Sequence, residues 1–174
     1  KDMTDELMSE IKVPRTDGSI ITVVGVGGAG GNAVNHMWNL GIRGVTFMVC
    51  NTDQQALDKS PVELKVRLGS EGLGAGNDPE NGRKAAIESL DVVRQRFEAS
   101  GTKMVFITAG MGGGTGTGAS PVIAKLAKEM GMLTVGIVTS PLAVEGKIRY
   151  EQAFRGIEEL RQNVDSLLII NNEN

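Results

Sequence analysis

Residues 110–118 read Gly110-Met111-Gly112-Gly113-Gly114-Thr115-Gly116-Thr117-Gly118, and six of these nine residues are glycine. The stretch follows an apolar run at 104–109 and precedes a helix-like segment at 119–130. Glycine loses more conformational entropy on folding than any other residue, so a cluster this dense indicates positive φ angles or a backbone that lies close to another group. At a helix start, unpaired N–H groups and the helix dipole favour an anion. We therefore predict a phosphate-binding loop.

Short apolar runs alternate with amphipathic segments along the rest of the chain. The predicted strands cover residues 19–26, 44–50, 62–68, 103–109, 132–139 and 166–170. The predicted helices cover residues 32–40, a short segment ending near 57, then 79–100, 119–130 and 145–163. Pro121 requires that the fourth of these helices start no earlier than about Thr117 or be kinked in its first turn. The alternation predicts a three-layer αβα, Rossmann-like fold with a mostly parallel six-stranded sheet.

Composition excludes several classes of function. The 174 residues include 18 Lys and Arg against 21 Asp and Glu, for a net charge of -3, which argues against a nucleic-acid-binding surface. The single cysteine, Cys50, lies in an apolar run and is predicted to be a buried, inert thiol. No Cys/His cluster suggests a metal site, and no apolar run approaches the ~20 residues of a membrane span. We expect a cytoplasmic protein without direct membrane insertion.

Three glycine-rich segments follow predicted strands, at residues 25–31, 72–76 and 110–118. The polar segments at 51–53, 140–145 and 171–174 follow strands as well. In parallel α/β sheets, ligands bind beyond the carboxyl ends of the strands. All six segments should therefore lie on one rim of the sheet.

Residues 25–30 also fit the G-x-G-x-x-G pattern, with Asp53 after the next strand as the acidic partner of a ribose. Alone, this pattern favours an NAD-type dinucleotide oxidoreductase or a tight structural turn. Neither explains the second glycine-rich helix start or the third loop, which together favour a longer phosphate chain. No G-x-x-x-x-G-K-[ST] motif is present, which excludes a P-loop. Asp53 and Glu145 could instead be helix caps, and Arg149 a solvated charge.

The stretch 112–118 resembles the signature of the tubulin/FtsZ family of filament-forming GTPases. The resemblance extends through 28–32, 51–53, 72–79, and Glu145-Gly146 with Arg149, and it covers residues 20–174. It implies a GTP-binding domain at 19–174; residues 1–18 are charged and have only a weak apolar pattern, which predicts an N-terminal arm. Asn32 would lie by the guanine, Glu145 would accept from the ribose hydroxyls, and Arg149 would add positive charge near the nucleotide. The implied nucleotide-binding residues are Gly27, Gly28, Ala29, Gly30, Gly31, Asn32, Asp53, Gly76, Asn77, Gly113, Gly114, Thr115, Gly116, Glu145, Arg149 and Asn172.

The same resemblance implies a cell-division GTPase that binds GTP or GDP, with Mg²⁺ expected beside GTP. Its full-length parent would associate head to tail, bind other division proteins and act at a mid-cell division ring. The acids that activate water would come from the next subunit, so no catalytic residue is expected within this chain. The chain stops before the family's central helix and second domain, so weak binding, very slow hydrolysis and an exposed apolar sheet face are expected.

The sequence departs from the family pattern in two further places. Ser140 and Leu142 stand where relatives carry a basic and an aromatic residue, and Asn171-Asn172-Glu173 stands where they read Pro-Asn-Asp. Asn172 is the position that matches. A non-catalytic scaffold, using the domain only as a polymer face, is a further alternative. It would show no nucleotide dependence.

Overall fold

A computed structural model describes residues 20–171 of the chain. The predicted arm at 1–18 and the predicted site residue Asn172 lie outside these residues. The six strands are β1 Ile21–Val26, β2 Thr46–Asn51, β3 Leu64–Arg67, β4 Met104–Gly110, β5 Leu133–Ser140 and β6 Ser166–Asn171. The helices are α1 Gly27–Asn39, α2 Gln54–Lys59, α3 Pro79–Glu88, α4 Leu90–Ser100, α5 Thr115–Glu129 and α6 Lys147–Arg161, with a short 3-10 helix at Ala143–Glu145.

The strands form one sheet in the order β3-β2-β1-β4-β5-β6. Every neighbouring pair is parallel. Helices cover both faces, which confirms the predicted three-layer α/β fold. The predicted edge position of β3 is confirmed as well. The order puts β1 and β4 at the centre, so the helices that follow them, α1 and α5, start side by side.

Two apolar clusters hold the layers together, one on each face of the sheet. The larger joins alternate residues of the strands to α4, α5 and α6, with Phe97, Ile107 and Leu160 fully buried. The smaller lies under α1 and α2 and includes Val34 and Leu57. Cys50 lies in the larger cluster, and burial raises the pKa of its thiol to about 12. The predicted inert thiol is thus confirmed.

Two helices start earlier than the sequence predicts. α1 begins at Gly27 rather than at residue 32, and α5 begins at Thr115 rather than at residue 119. Of the two alternatives set by Pro121, a start no earlier than about Thr117 is wrong by two residues, and a kinked first turn stays a prediction; Pro121 lies inside the helix. Glycine is a poor helix former, but tertiary packing overrides propensity here, because close backbone contacts at these two starts require residues without Cβ. The glycine segments are therefore largely first helical turns.

The predicted helix at 79–100 is two helices. α3 ends at Glu88 and α4 begins at Leu90, with Asp78 and Pro79 at the start of α3 as predicted. The break falls at Ser89, whose hydroxyl accepts from the Gly69 N–H at 2.8 Å and donates to the Arg67 carbonyl at 3.3 Å. These contacts fasten the helix pair to the end of β3.

One face of β6 exposes apolar side chains. Leu167 and Ile169 pack on the larger cluster, whereas Leu168 and Ile170 point the other way and are 55% and 44% exposed. This confirms the predicted exposed apolar face; self-association through it stays a prediction. Within residues 20–171, no helix has the length and apolar character needed to cross a membrane.

Candidate functional site

The segments that follow the strands meet at the carboxyl edge of the sheet, as predicted, and surround a cavity of about 500 Å³. Segments after β1, β2, β3, β4 and β5 all contribute to its wall. The residues that line it are Val26, Gly28, Ala29, Asn51, Thr52, Asp53, Ala56, Gly74, Ala75, Gly76, Asn77, Gly110, Met111, Gly113, Gly114, Thr115, Gly116, Thr139, Pro141, Glu145 and Arg149.

Two helix N-termini form the back of this cavity. Gly27 has a φ of +79°, and a Cβ placed there would lie 2.9 Å from the Gly116 nitrogen. A Cβ at Gly116 would lie 2.5 Å from the carbonyl oxygen of Gly110. A side chain at Gly27, the first residue of α1, would therefore push α1 away from α5, and a side chain at Gly116, the second residue of α5, would push α5 away from the end of β4. The N–H groups of both first turns lack intrahelical partners and carry partial positive charge.

The approach from β4 into α5 is fixed by a short hydrogen bond. Gly112 has a φ of +112°, and its N–H donates to the Thr117 hydroxyl at 2.7 Å. Ser120 donates its hydroxyl to the Gly116 carbonyl at 2.5 Å. The first two turns of α5 are buried. The loop backbone at Gly113 and Gly114 is thereby held in one path along the cavity.

A third wall is the loop between β3 and α3. The Gly74 N–H donates to the Thr52 carbonyl at 3.1 Å, which ties this loop to the end of β2. Asn77 has a φ of 60°, a left-handed conformation that asparagine tolerates better than most residues. This turn places the Asn77 amide oxygen 3.3 Å from Nη2 of Arg149 on α6.

Arg149 and Glu145 close the cavity on the side of α6. Arg149 Nη1 lies 3.3 Å from Glu145 Oε1, while Glu145 Oε2 accepts from the Leu142 N–H at 2.7 Å. The predicted helix start at residue 145 is wrong, because Glu145 ends the 3-10 helix and α6 begins at Lys147. Glu145 therefore stabilises the loop at Leu142 with one carboxylate oxygen and orients Arg149 with the other. The side chain of Arg149 packs against Gly112, where a Cβ would lie 2.7 Å from its Cγ.

Asp53 is both a helix cap and a residue of the cavity wall, the two alternatives that the sequence left open. It caps α2, since its carboxylate accepts from the N–H groups of Gln55 at 2.9 Å and Ala56 at 3.4 Å. It also lines the cavity. The cap and the cavity position are compatible because α2 starts at the rim of the cavity.

The cavity brings together eleven of the predicted site residues: Gly28, Ala29, Asp53, Gly76, Asn77, Gly113, Gly114, Thr115, Gly116, Glu145 and Arg149. Gly27, Gly31 and Asn32 line a neighbouring pocket beside α1. Gly30 lines neither pocket; a Cβ built there would lie 2.3 Å from the Thr108 carbonyl oxygen, so glycine is needed for the close packing of α1 on β4.

Sequence reasoning missed the other ten lining residues, of which eight are not glycine: Val26, Asn51, Thr52, Ala56, Ala75, Met111, Thr139 and Pro141. Thr52 forms a hydrogen bond of 2.6 Å with Thr115, and both residues are buried. Its only sequence signal is its place between Asn51 and Asp53 after a strand. Thr139 lies near the end of β5, where strand alternation could have indicated its direction.

Two helix N-termini and a glycine-rich loop around one cavity, at the carboxyl edge of a parallel sheet, define a Rossmann-like nucleotide-binding domain. The chain belongs to the tubulin/FtsZ family: residues 20–174 match the family model described as "Tubulin/FtsZ family, GTPase domain". This match gives no support to the dinucleotide oxidoreductase alternative.

Individual relatives agree with the family match. The chain is 52% identical over 174 residues to the cell division protein FtsZ of Porphyromonas gingivalis, covering 98% of this chain and 38% of that protein. It is 56% identical over 157 residues to FtsZ of Bartonella bacilliformis, covering 88% of this chain and 26% of that protein. The chain thus spans well under half the length of these relatives.

Solved structures show the same fold. An empty FtsZ dimer from M. jannaschii superposes with a TM-score of 0.86 at 40% identity, covering 99% of this chain and 50% of the other. A GTPγS-bound protofilament of CetZ2 from Haloferax volcanii superposes with a TM-score of 0.78 at 27% identity, covering 87% of this chain and 49% of the other. The fold is shared beyond the FtsZ proteins themselves.

Proposed function

We propose that this chain is the guanine-nucleotide-binding domain, at residues 19–174, of a filament-forming cell-division GTPase. The observation that carries the proposal is that the glycine-rich first turns of α1 and α5 and the loop at Asn77 surround one cavity. Its support is the membership of the tubulin/FtsZ family and the 52–56% identity to proteins named cell division protein FtsZ.

The phosphates would be held mainly by backbone. The N–H groups of Gly113, Gly114, Thr115 and Gly116 would donate from the start of α5, and those of the first turn of α1 from the other side. Two helix starts placed together can donate to more phosphate oxygens of a triphosphate than either could alone. Arg149, which closes the cavity on the side of α6, would add a full positive charge to the partial charges of the backbone N–H groups.

Glu145 is proposed to accept from the ribose hydroxyls, with Arg149 held in place by it at 3.3 Å. Asn32, in the neighbouring pocket, is proposed to contact the guanine, and Asn172 is proposed as a further nucleotide-binding residue. Carbonyl and N–H groups of amide side chains can pair with the edge of a base, which is the chemistry that separates guanine from adenine.

Mg²⁺ would accompany GTP and neutralise the charge that develops on the phosphates during hydrolysis. The donor set fits a loosely held ion: Asp53 and Glu145 line the cavity together with amide and hydroxyl oxygens. Within residues 20–171 there is no group of three His, Cys, Asp or Glu side chains that could hold a metal by themselves. Phosphate oxygens and water would therefore complete the coordination.

Hydrolysis is proposed to require a second copy of the parent protein. The cavity can hold the phosphates and stabilise their charge, and the group that orients the attacking water would come from the next subunit. Two structural relatives, one described as a dimer and one as a protofilament, support head-to-tail association. Other division proteins as partners, and action in the cytoplasm at a division ring, are proposed from the names of the relatives.

The test of binding is a thermal shift of the 174-residue chain against GTP, GDP, ATP and NAD, followed by titration of those that stabilise it. We expect stabilisation by GTP and GDP, because a ligand that binds only the folded state raises its stability. ATP and NAD should have little effect. Stabilisation by NAD alone, or by no nucleotide, would contradict the proposal.

The test of hydrolysis is phosphate release from GTP over a range of protein concentrations. We expect very slow release from this chain, without a rise in specific activity as the concentration increases. Robust turnover that rises with concentration would show that the chain carries its own water-orienting group.

A further inference from the structure

Thr52 connects two elements that are distant in sequence. It follows β2, and its Oγ1 lies 2.6 Å from Oγ1 of Thr115, the first residue of α5. Both side chains are buried, at 5% and 8% exposure, and both line the cavity. A hydrogen bond this short between buried hydroxyls fixes the O–H direction of the donor and leaves the O–H of the acceptor able to point elsewhere.

The two neighbours of Thr52 serve their own loop. Asn51 Oδ1 accepts from the Asp53 N–H at 3.2 Å, and the Asp53 carboxylate caps α2. The carbonyl of Thr52 is held by the Gly74 N–H at 3.1 Å. Thr52 therefore has a fixed backbone and a side chain that reaches across to α5, which places its hydroxyl with little freedom.

We propose that Thr52 is a positioning residue whose hydroxyl donates a hydrogen bond to the Thr115 hydroxyl. This inference rests on the proposed nucleotide-binding function. A hydroxyl has one proton to donate, and a phosphate oxygen can only accept. If Thr115 accepts from Thr52, its own proton is free to point into the cavity toward a phosphate. The reverse direction would point lone pairs of Thr115 at an anion.

This arrangement also strengthens the bond that Thr115 makes. A hydroxyl that accepts a hydrogen bond becomes a better donor, because a chain of hydrogen bonds polarises along its length. The side chain of Thr115 also loses less rotational freedom when the nucleotide binds, because the hydrogen bond to Thr52 already holds it in one rotamer. Thr52 thus acts on the nucleotide through Thr115.

The test compares Thr52→Val, which keeps the shape and removes the hydroxyl, with Thr52→Ser, which keeps the hydroxyl. We expect Thr52→Val to weaken GDP binding about tenfold, equivalent to about 1.4 kcal/mol. Thr52→Ser should restore binding to within about twofold of the unchanged chain. Binding is measured by titration calorimetry, with circular dichroism to confirm folding; if Thr52→Val does not fold, Thr52→Ala replaces it.

The chain offers a matched control at the opposite end of the sheet. Thr22 and Thr102 form a second buried hydroxyl pair at 2.7 Å, near the amino end of β1. Thr22→Val should lower the urea midpoint of unfolding much as Thr52→Val does, but leave GDP binding unchanged. An equal loss of GDP binding in Thr22→Val would mean that the effect is general destabilisation, which overturns the inference.

A double-mutant cycle shows whether Thr52 acts through Thr115. We expect Thr52→Val to have no further effect on GDP affinity in a Thr115→Val background. Additive losses, or failure of Thr52→Ser to restore binding, would overturn the positioning role while leaving the proposed function intact. An unchanged chain that binds neither GTP nor GDP would overturn the proposed function and this inference with it.

Discussion

The starts of α1 and α5 look alike in sequence and differ in structure. At α5, every residue from Thr115 to Pro121 is buried. A Cβ on Gly118 would collide with the Pro79 carbonyl of α3, and one on Gly82 would collide with the Gly114 carbonyl. At α1, Gly28 is exposed and Gly31 partly exposed. Among the described residues, outside α1's own backbone and the adjoining residues, no atom lies within 4 Å of a Cβ built at either.

This difference separates two reasons for glycine. In α5, the glycines let α3 cross close to the helix and bring the loop at Asn77 to the cavity. In α1, the protein itself leaves room for a side chain at Gly28, which lines the cavity. Glycine inside a helix costs about 0.5–1 kcal/mol relative to alanine. Such a cost at an open position suggests that a ligand approaches the backbone there.

The largest effect is expected from Gly118→Ala. The new methyl would meet the backbone of Pro79 and Arg83, which can move only if α3 shifts. We expect the free energy of unfolding to fall by about 3 kcal/mol, at the upper end of overpacking effects. Urea unfolding followed by circular dichroism measures it. A loss below about 0.5 kcal/mol would show that the crossing of α3 and α5 is not tight, and would remove the first half of the comparison.

Gly28→Ala should act in the opposite direction on stability and still impair binding. In the absence of nucleotide, the free energy of unfolding should rise by about 0.5–1 kcal/mol, because alanine favours the helix. GDP affinity should fall about tenfold, since the methyl occupies the path of the phosphates. Urea unfolding measures the stability and titration calorimetry measures the GDP affinity, both on the same purified variant. Stabilisation with unchanged affinity would mean that the phosphates do not approach this turn.

The same contrast shows what the sequence could predict. Alternating apolar runs and helical segments were enough for the three-layer fold and for the rim on which the site lies. The positions of the starts of α1 and α5 were not predictable, because glycine's low helix propensity is overridden by contacts with Thr108 and Pro79 that are distant in sequence. The break at Ser89 depends likewise on contacts with the end of β3.

The site was predictable where backbone geometry alone defines it, as at Gly113 and Gly114. It was not predictable where side chains meet across elements. The pairing of Thr52 with Thr115 depends on the strand order, which puts the end of β2 within reach of α5. The contact of Arg149 with Asn77 joins residues 72 positions apart through a left-handed turn. Neither pairing leaves a local pattern in the sequence.

Arg149→Gln tests whether the α6 side of the cavity binds the nucleotide by charge, in addition to the backbone groups of α1 and α5. Glutamine keeps a donor for Asn77 and removes the positive charge. We expect GDP affinity to fall about fivefold at low salt, and by less at high salt because ions screen a partly exposed charge. Calorimetry at two salt concentrations measures this. Arg155→Gln, farther along α6, is the control and should change affinity little. Equal losses at both salt concentrations would contradict a charge effect.

The smallest effect concerns the far end of α5. Hydrogen bonds from Lys128 and from the Thr134 N–H hold the pKa of Asp165 below its usual value. The ionised form is therefore favoured by folding, and its stabilisation is present above the unfolded pKa of about 3.9 and lost as pH falls through the lower folded pKa. The prediction is therefore a pH-dependent loss of stability.

We expect Asp165→Asn to lower the free energy of unfolding at pH 7, and the difference from the unchanged chain to narrow as pH falls below about 4. Urea unfolding across this pH range measures this difference, which is called the gap below. Asp91→Asn, at an exposed pair with Arg94 at 3.7 Å, is the control and should have almost no effect. A gap for Asp165→Asn that is independent of pH would mean that the side chain acts by shape alone, and that the C-terminal end of α5 is not held by charge.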